Sequence, residues 1–244
     1  MAVGLAAEHT DRTRWRVLIA PDSATVVSED GRTIRTHGVG PALDVRFCGL
    51  AQRCQHVGGR LRCKRYSAGG YVLVVRHGAT DDSQKDVFPF KFDDMTAQRQ
   101  LSEKGRSMAR ELGEALKKLG VPIGEVYTSQ LNRAVETGKL LGGKDVSPVD
   151  ALTDSGAGSS SAMVNPDGKN AKTGRAMRDL VNAPPKPGLN NLAVTHKTNV
   201  ADAFGKEFAD IREGEALVYK TSDSGPAVLV ARVQAGEWIA LAGR

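Results

Sequence analysis

The sequence is poor in aromatic residues, which make up 5% of its 244 positions, and it holds three cysteines. Its apolar residues never run together for the roughly 20 positions a bilayer-crossing helix needs. The longest runs, such as Tyr71 to Val75, are of strand length, so a membrane-spanning helix is excluded. Met1 to Arg16 lack the apolar centre of a secretory signal and carry Glu8, Asp11, Arg12 and Arg14 instead. The chain as written is therefore expected in the cytoplasm, or in the periplasm or exported if its true start is not Met1. Cys48, Cys54 and Cys63 match neither a paired C-x-x-C metal site nor an even disulfide framework, and free or partly paired thiols are expected.

What is present is ordinary globular composition, 40% hydrophobic and 25% charged, enough for one large domain or two small ones. The net charge of +6 is unevenly placed. Residues 1 to 70 hold eleven basic against six acidic residues, whereas the remainder is nearly balanced at twenty-three against twenty-two. No recognition motif or interleaved aromatic accompanies the basic front, so no nucleic-acid partner is expected.

The front segment uses ten Arg and one Lys, the rest ten Arg and thirteen Lys, and the change coincides with Ser67, Gly69 and Gly70. Residues 1–69 are accordingly expected to form an Arg-rich extension, poorly ordered or a small β structure, ahead of a domain at 70–244. Short β-like runs occur at Trp15 to Ile19, Ser23 to Val27 and Thr33 to Thr36, with Asp30-Gly31 as a turn between the last two.

Beyond Gly70, strand and helix patterns alternate, which predicts a three-layer α/β/α sandwich around a mostly parallel, mixed sheet. Tyr71 to Val75 is a buried central strand. Ser102 caps a helix to Leu119, with Met108, Ala109, Leu112, Ala115, Leu116 and Leu119 on one face and Gly120 as its stop. Glu125 to Thr128 and Leu192 to Thr195 read as further strands, and Leu131 to Leu141 as a helix. Val146 to Val149 is a short apolar run. Ala216 to Tyr219, Ala227 to Val233 and Glu237 to Leu241 predict a terminal meander. Ser155 to Arg175 has no apolar period and is expected to be a mobile flap.

Ligands of open α/β sheets gather beyond the carboxyl ends of the strands. Arg76-His77-Gly78 follows the first of these strands, Ser129 and Arg133 follow the second, and His196 follows the third. Only two of the five histidines lie after Gly70, and both occupy such positions. Two guanidinium and two imidazole groups in one crevice suit a phosphoryl dianion, because arginine offers planar donors that stay charged. A neutral imidazole among these cations keeps a lone pair for attack on phosphorus. Thr80 and Ser129 either hydrogen-bond the phosphate or cap local turns; Gln98 and Arg99 either reach substrate or lie on the surface.

The ordered words Val74-Val75-Arg76-His77-Gly78-Ala79-Thr80, Leu101-Ser102 with Gly105-Arg106, Thr128-Ser129-Gln130-Leu131-Asn132-Arg133-Ala134 with Glu136-Thr137, Val194-Thr195-His196 and Gly214-Glu215-Ala216-Leu217 resemble the histidine phosphatase superfamily, which includes the phosphoglycerate mutases. The resemblance implies a phosphoglycerate mutase-like fold, a phosphohistidine intermediate on His77, phosphate binding by Arg76, Arg133 and His196, and no cofactor or metal. It also implies a carboxylate proton donor. Lys197 follows His196, so the donor pattern with Asp after the second histidine is absent. Asp154 stands where the other pattern places its acid.

The expected function is hydrolysis of a phosphomonoester or phosphohistidine, on a small molecule or a phosphoprotein. A non-catalytic phosphate-binding or scaffolding member, and a phosphoglycerate mutase-type phosphotransferase, are the alternatives.

Overall fold

A computed structural model describes residues 15–20, 23–28, 33–37, 54–57, 60–154 and 169–243. The chain divides into two compact units, Met1–Val45 and Arg46–Arg244. In the first, β1 (Trp15–Ala20), β2 (Ser23–Ser28) and β3 (Thr33–His37) form an antiparallel sheet with β2 in the middle. The turn at Asp30-Gly31, like Cys48, lies outside the described residues.

The second unit opens with a hairpin of β4 (Cys54–Val57) and β5 (Arg60–Cys63), followed by one helical turn, α1 (Lys64–Ser67). Tyr66 of that turn is buried against Tyr71 and Trp238, so the packed core begins ahead of Gly69-Gly70.

Its main sheet has six strands: β6 (Tyr71–Arg76), β7 (Ile123–Thr128), β8 (Ser147–Pro148), β9 (Asn190–Thr195), β10 (Ala216–Ser222) and β11 (Gly225–Val233). Their spatial order is β11-β10-β6-β9-β7-β8. β6, β9, β7 and β8 run parallel; β10 and β11 are antiparallel to their neighbours. The sheet is thus mixed, and its parallel part holds the predicted central strand.

The continuous apolar run of β6 follows from its place between two helical layers. Leu73 and Val75 join one core with Leu112 and Leu116 of α2 (Glu103–Lys118), Leu141 of α3 (Asn132–Gly142) and Trp238 of α6 (Ala235–Ala242). Val72 and Val74 join the opposite core with Met177 and Val181 of α4 (Lys169–Asn182) and Val200 of α5 (Lys197–Phe204). A strand covered on both faces has no polar side to show. Ser102 accepts the Gly105 amide as N-cap of α2, and Gly120 leaves that helix at φ 69°, in the left-handed region where a side chain is strained.

Two expectations are corrected. Glu237 to Leu241 is not a third strand but part of α6: Gln234 and Glu237 form a reciprocal capping box, and Ala235, Trp238 and Leu241 are buried at a spacing of three, which a helix presents on one face. Residues 169–175 of the expected flap are the first turns of α4, held by Met177 and Val181 in the core and by the close approach of Gly174 to the Asp202 carbonyl. The remainder of that stretch, 155–168, lies outside the described residues. The Val146 to Val149 run holds the two-residue strand β8, which pairs with Tyr127 and Thr128 of β7, and a 3-10 turn at Asp150–Leu152 follows it. Among the described residues no helix is long and apolar enough to cross a membrane.

Candidate active site

The carboxyl ends of β6, β9 and β7 lie side by side, and the chain is pinned at each exit. His77 donates its amide to the Thr195 carbonyl at 3.0 Å, and Ser129 donates its amide to the Val194 carbonyl at 2.9 Å. Three strands in parallel register therefore deliver His77, Ser129 and His196 to one edge of the sheet. The rings of His77 and His196 are 5.0 Å apart, centroid to centroid, and inclined by 60°.

The His77 loop is packed against the start of α2 and the middle of α3. An added Cβ at Gly105 would fall 2.1 Å from the Ala79 carbonyl oxygen, so only glycine lets α2 approach this closely. Ser102 reinforces the contact, donating both its amide, at 3.0 Å, and its hydroxyl, at 3.1 Å, to the same carbonyl. On the other side the Gly78 amide donates to Thr137 Oγ1, whose hydroxyl in turn donates to the Arg133 carbonyl at 2.7 Å. Arg106 and Glu136 pair across α2 and α3. The Gly214-Glu215 segment supports Arg76 from below: the Arg76 amide donates to the Glu215 carbonyl, the Gly214 amide to the Arg76 carbonyl, and the buried Glu215 carboxylate pairs with Arg232.

A hydrogen bond assigns the tautomer of His77. His77 Nδ1 lies 2.8 Å from the Gly78 carbonyl oxygen, which can only accept, so Nδ1 carries the proton and Nε2 keeps its lone pair. Ser129 Oγ accepts the Leu131 amide at 3.1 Å and lies 2.7 Å from His196 Nε2. Burial, then the charge of Arg133, lowers the pKa of His77 to about 3, while the bond to Gly78 opposes the shift and Arg76 and Arg99 add to it. Burial, then His77, Arg133, Arg99 and Arg76, holds His196 well below the usual imidazole range. Both rings are neutral at pH 7.

Arg133 is buried and donates from Nη1 to Asp86 Oδ1 at 2.8 Å; burial lowers its pKa and Asp86 opposes that. It remains cationic in any case. Arg76 donates to the Ile211 carbonyl at 2.9 Å and pairs with Glu213 at 3.4 Å. The Nε atoms of Arg76, Arg99 and Arg133 are all buried without a hydrogen-bond partner among the described residues. An orphaned buried donor is costly, and three on guanidinium groups within electrostatic reach of two neutral imidazoles mark a place suited to an anion.

Of the residues singled out in the sequence, Arg76, His77, Ser129, Arg133 and His196 meet here. Asp154 accepts from Thr198 Oγ1 at 2.8 Å and its charge acts on Arg133. With Asp202, whose pKa burial and Asp154 raise to about 6, it forms an acidic flank to the site. Thr80 pairs through its backbone with Leu101 and closes the loop between β6 and α2.

Arg99, read in the sequence as either reaching substrate or lying on the surface, joins this set, and Asp86 adds to it. Arg99 is placed by its amide, which donates to Asp86 Oδ1 at 2.9 Å, and its charge is felt by both histidines, Arg76 and Arg133. Its position just ahead of the Leu101-Ser102 helix start was the available signal. Asp86 had none, being one of five aspartates in an aperiodic loop. Among the described residues no group of three or more His, Cys, Asp or Glu is arranged to hold a metal ion.

Residues 72–198 match the family model of the histidine phosphatase superfamily, branch 1. The chain belongs to that superfamily. Among curated histidine phosphatase relatives, a 2,3-bisphosphoglycerate-dependent phosphoglycerate mutase of Parvibaculum lavamentivorans is 32% identical over 158 residues, covering 60% of this chain and 71% of the relative. A phosphoglycerate mutase of Candida albicans is 33% identical over 69 residues, 28% of this chain and 26% of the relative. Among solved structures, the protein histidine phosphatase SixA in complex with tungstate aligns with a TM-score of 0.48 at 18% identity, over 68% of this chain and 97% of that one.

Proposed function

We propose that residues 70–244 form a phosphatase that hydrolyses a phosphomonoester or a phosphohistidine through a covalent intermediate on His77. The observation that carries this reading is the fixed tautomer of His77: with Nδ1 donating to Gly78, the free lone pair belongs to Nε2, in a ring that stays neutral beside Arg133.

In the first step Nε2 attacks phosphorus as the bond to the leaving oxygen breaks. Arg76 and Arg133 hold the phosphoryl oxygens together with His196, and Arg99 adds positive charge as negative charge spreads over those oxygens. Asp154 is the proposed donor of a proton to the departing alkoxide. In the second step water attacks phosphorus and returns a proton to the Asp154 carboxylate, the N–P bond breaks, inorganic phosphate leaves and Nε2 regains its lone pair. The positive dipole end at the start of α3 favours the same anion. Thr80 is held as a secondary phosphate contact at the loop entrance.

The mutase alternative draws on the names of the curated relatives. It requires the phosphorylated enzyme to pass its phosphoryl group to a second bound alcohol before water does.

The test is turnover of p-nitrophenyl phosphate by the purified chain. Hydrolysis inhibited by vanadate, and lowered about a thousandfold or more in His77→Ala, supports the phosphatase. Tight vanadate binding with no turnover points instead to a phosphate-binding scaffold.

A further inference from the structure

Among the described residues, three of the five exposed large apolar side chains sit on the loop between β6 and α2: Val87 at 47%, Phe88 at 65% and Met95 at 48%. The other two, Val228 and Leu229, lie on the edge strand β11. In the loop, Phe88 meets Phe90 edge-on with centroids 5.7 Å apart, and Phe90 lies 6.2 Å from Phe92. The rings form a row, and contiguous exposed apolar surface beside a polar cleft is the usual signature of a binding site.

The row is fastened to the anion site at both ends. Asp86, two residues before Phe88, takes both the Arg133 guanidinium and the Arg99 amide. At the other end the buried Gln98 donates to the Lys91 and Phe92 carbonyls, each at 2.9 Å, and its Oε1 accepts the Asn132 amide at 2.8 Å, at the first residue of the helix that carries Arg133. The aromatic row and the phosphate-facing cations are thus parts of one hydrogen-bonded assembly.

Charge decides what that row admits. The loop carries Asp81, Asp82, Asp86, Asp93 and Asp94 against Lys85, Lys91 and Arg99, none of them buried, and Arg99 faces the anion site. A phosphoryl group is drawn past these carboxylates by the cations behind them. A second anionic group on the same substrate stays among them and is repelled.

We propose that the loop from Asp81 to Arg99 is the leaving-group subsite, and that it selects phosphomonoesters of uncharged, apolar, ring-bearing alcohols over esters with a carboxylate near the phosphate. This rests on the phosphatase reading of the His77 site. Phe88, Phe90 and Phe92 supply the apolar contact, and Asp86 supplies the discrimination at the phosphate itself.

Three primary-alkyl phosphates of similar intrinsic reactivity test it on the full chain: 3-phenylpropyl phosphate, glycerol 3-phosphate and 3-phosphoglycerate. kcat/KM is expected to fall in that order, by about a hundredfold from first to last. Phe88→Ser is expected to raise KM for the phenylpropyl ester about tenfold, without moving the vanadate inhibition constant. Asp86→Asn is expected to shrink the preference over 3-phosphoglycerate about tenfold. Turnover of 3-phosphoglycerate equal to or faster than the phenylpropyl ester, or an unchanged KM for the phenylpropyl ester in Phe88→Ser, overturns the proposal. If none of the three is hydrolysed, the phosphatase reading fails separately. The subsite is then judged by how the same esters compete with vanadate: the same ranking supports it and the reverse ranking overturns it.

Discussion

The Gly78 amide donates to Thr137 Oγ1 at 3.1 Å, and through that bond the loop of the nucleophile is registered against the helix that carries Arg133. Thr137→Val keeps the shape and removes the acceptor, stranding a buried N–H at a cost of about 1–3 kcal/mol. The expected result is lower stability in urea unfolding and a kcat reduced about tenfold, because misplacing the nucleophile affects the transition state more than ground-state binding. Thr137→Ser is expected to restore both.

Close packing at the same loop gives a second expectation. In Gly105→Ala the new methyl meets the Ala79 backbone, which has no flexible end to give way, so α2 and the His77 loop must separate. Overpacking of this kind costs about 1–3 kcal/mol. A thermal melt reads the loss, and a rise in the vanadate inhibition constant reads the displaced site.

Stability should fall on acidification through the two histidines. An unfolded histidine titrates near the ordinary value of 6.5, whereas His77 in the fold titrates at about 3 and His196 well below 6.5. Between those values the unfolded chain binds protons that the folded chain refuses, so lowering pH favours unfolding, by up to about 1.4 kcal/mol per pH unit for each ring. Above about pH 6.5 both forms hold neutral rings and the dependence ends. His77→Gln is expected to flatten the slope of unfolding free energy against pH in this window; an unchanged slope would show that His77 is not held neutral.

Arg99 offers a test of the site's extent. Arg99→Gln removes one of the cations acting on both histidines while leaving the backbone amide that binds Asp86. KM for p-nitrophenyl phosphate and the vanadate inhibition constant are expected to rise about tenfold together, the loss from one charge-assisted contact. A surface arginine would change neither.

The four groups Arg76, His77, Arg133 and His196 were legible because each stands directly beyond an apolar strand or at the helix start that follows one, and parallel strands bring such positions to one edge. Ser102 and Gly120 were legible for a similarly local reason: a helix cap and a helix stop are written in single residues. α6 was misread because Trp238, Ile239 and Leu241 fit a strand as well as a helix over so short a run, and the capping box between Gln234 and Glu237 was the deciding sign. α4 was hidden by its polar first turns, since its burial rests on Met177 and Val181 near its end. Asp86 and the direction of Arg99 depend on how an aperiodic loop folds back, which residue spacing does not encode.

Chemical trapping of the intermediate bears most directly on the central claim. The chain is mixed with p-nitrophenyl phosphate, quenched in base within one turnover, digested and mapped by mass spectrometry. A phosphoryl group on Nε2 of His77, labile to acid and absent from His77→Ala, is the predicted result. Steady turnover with the label on another residue, or with no labelled peptide at any quench time while inorganic phosphate accumulates in a burst, would contradict it.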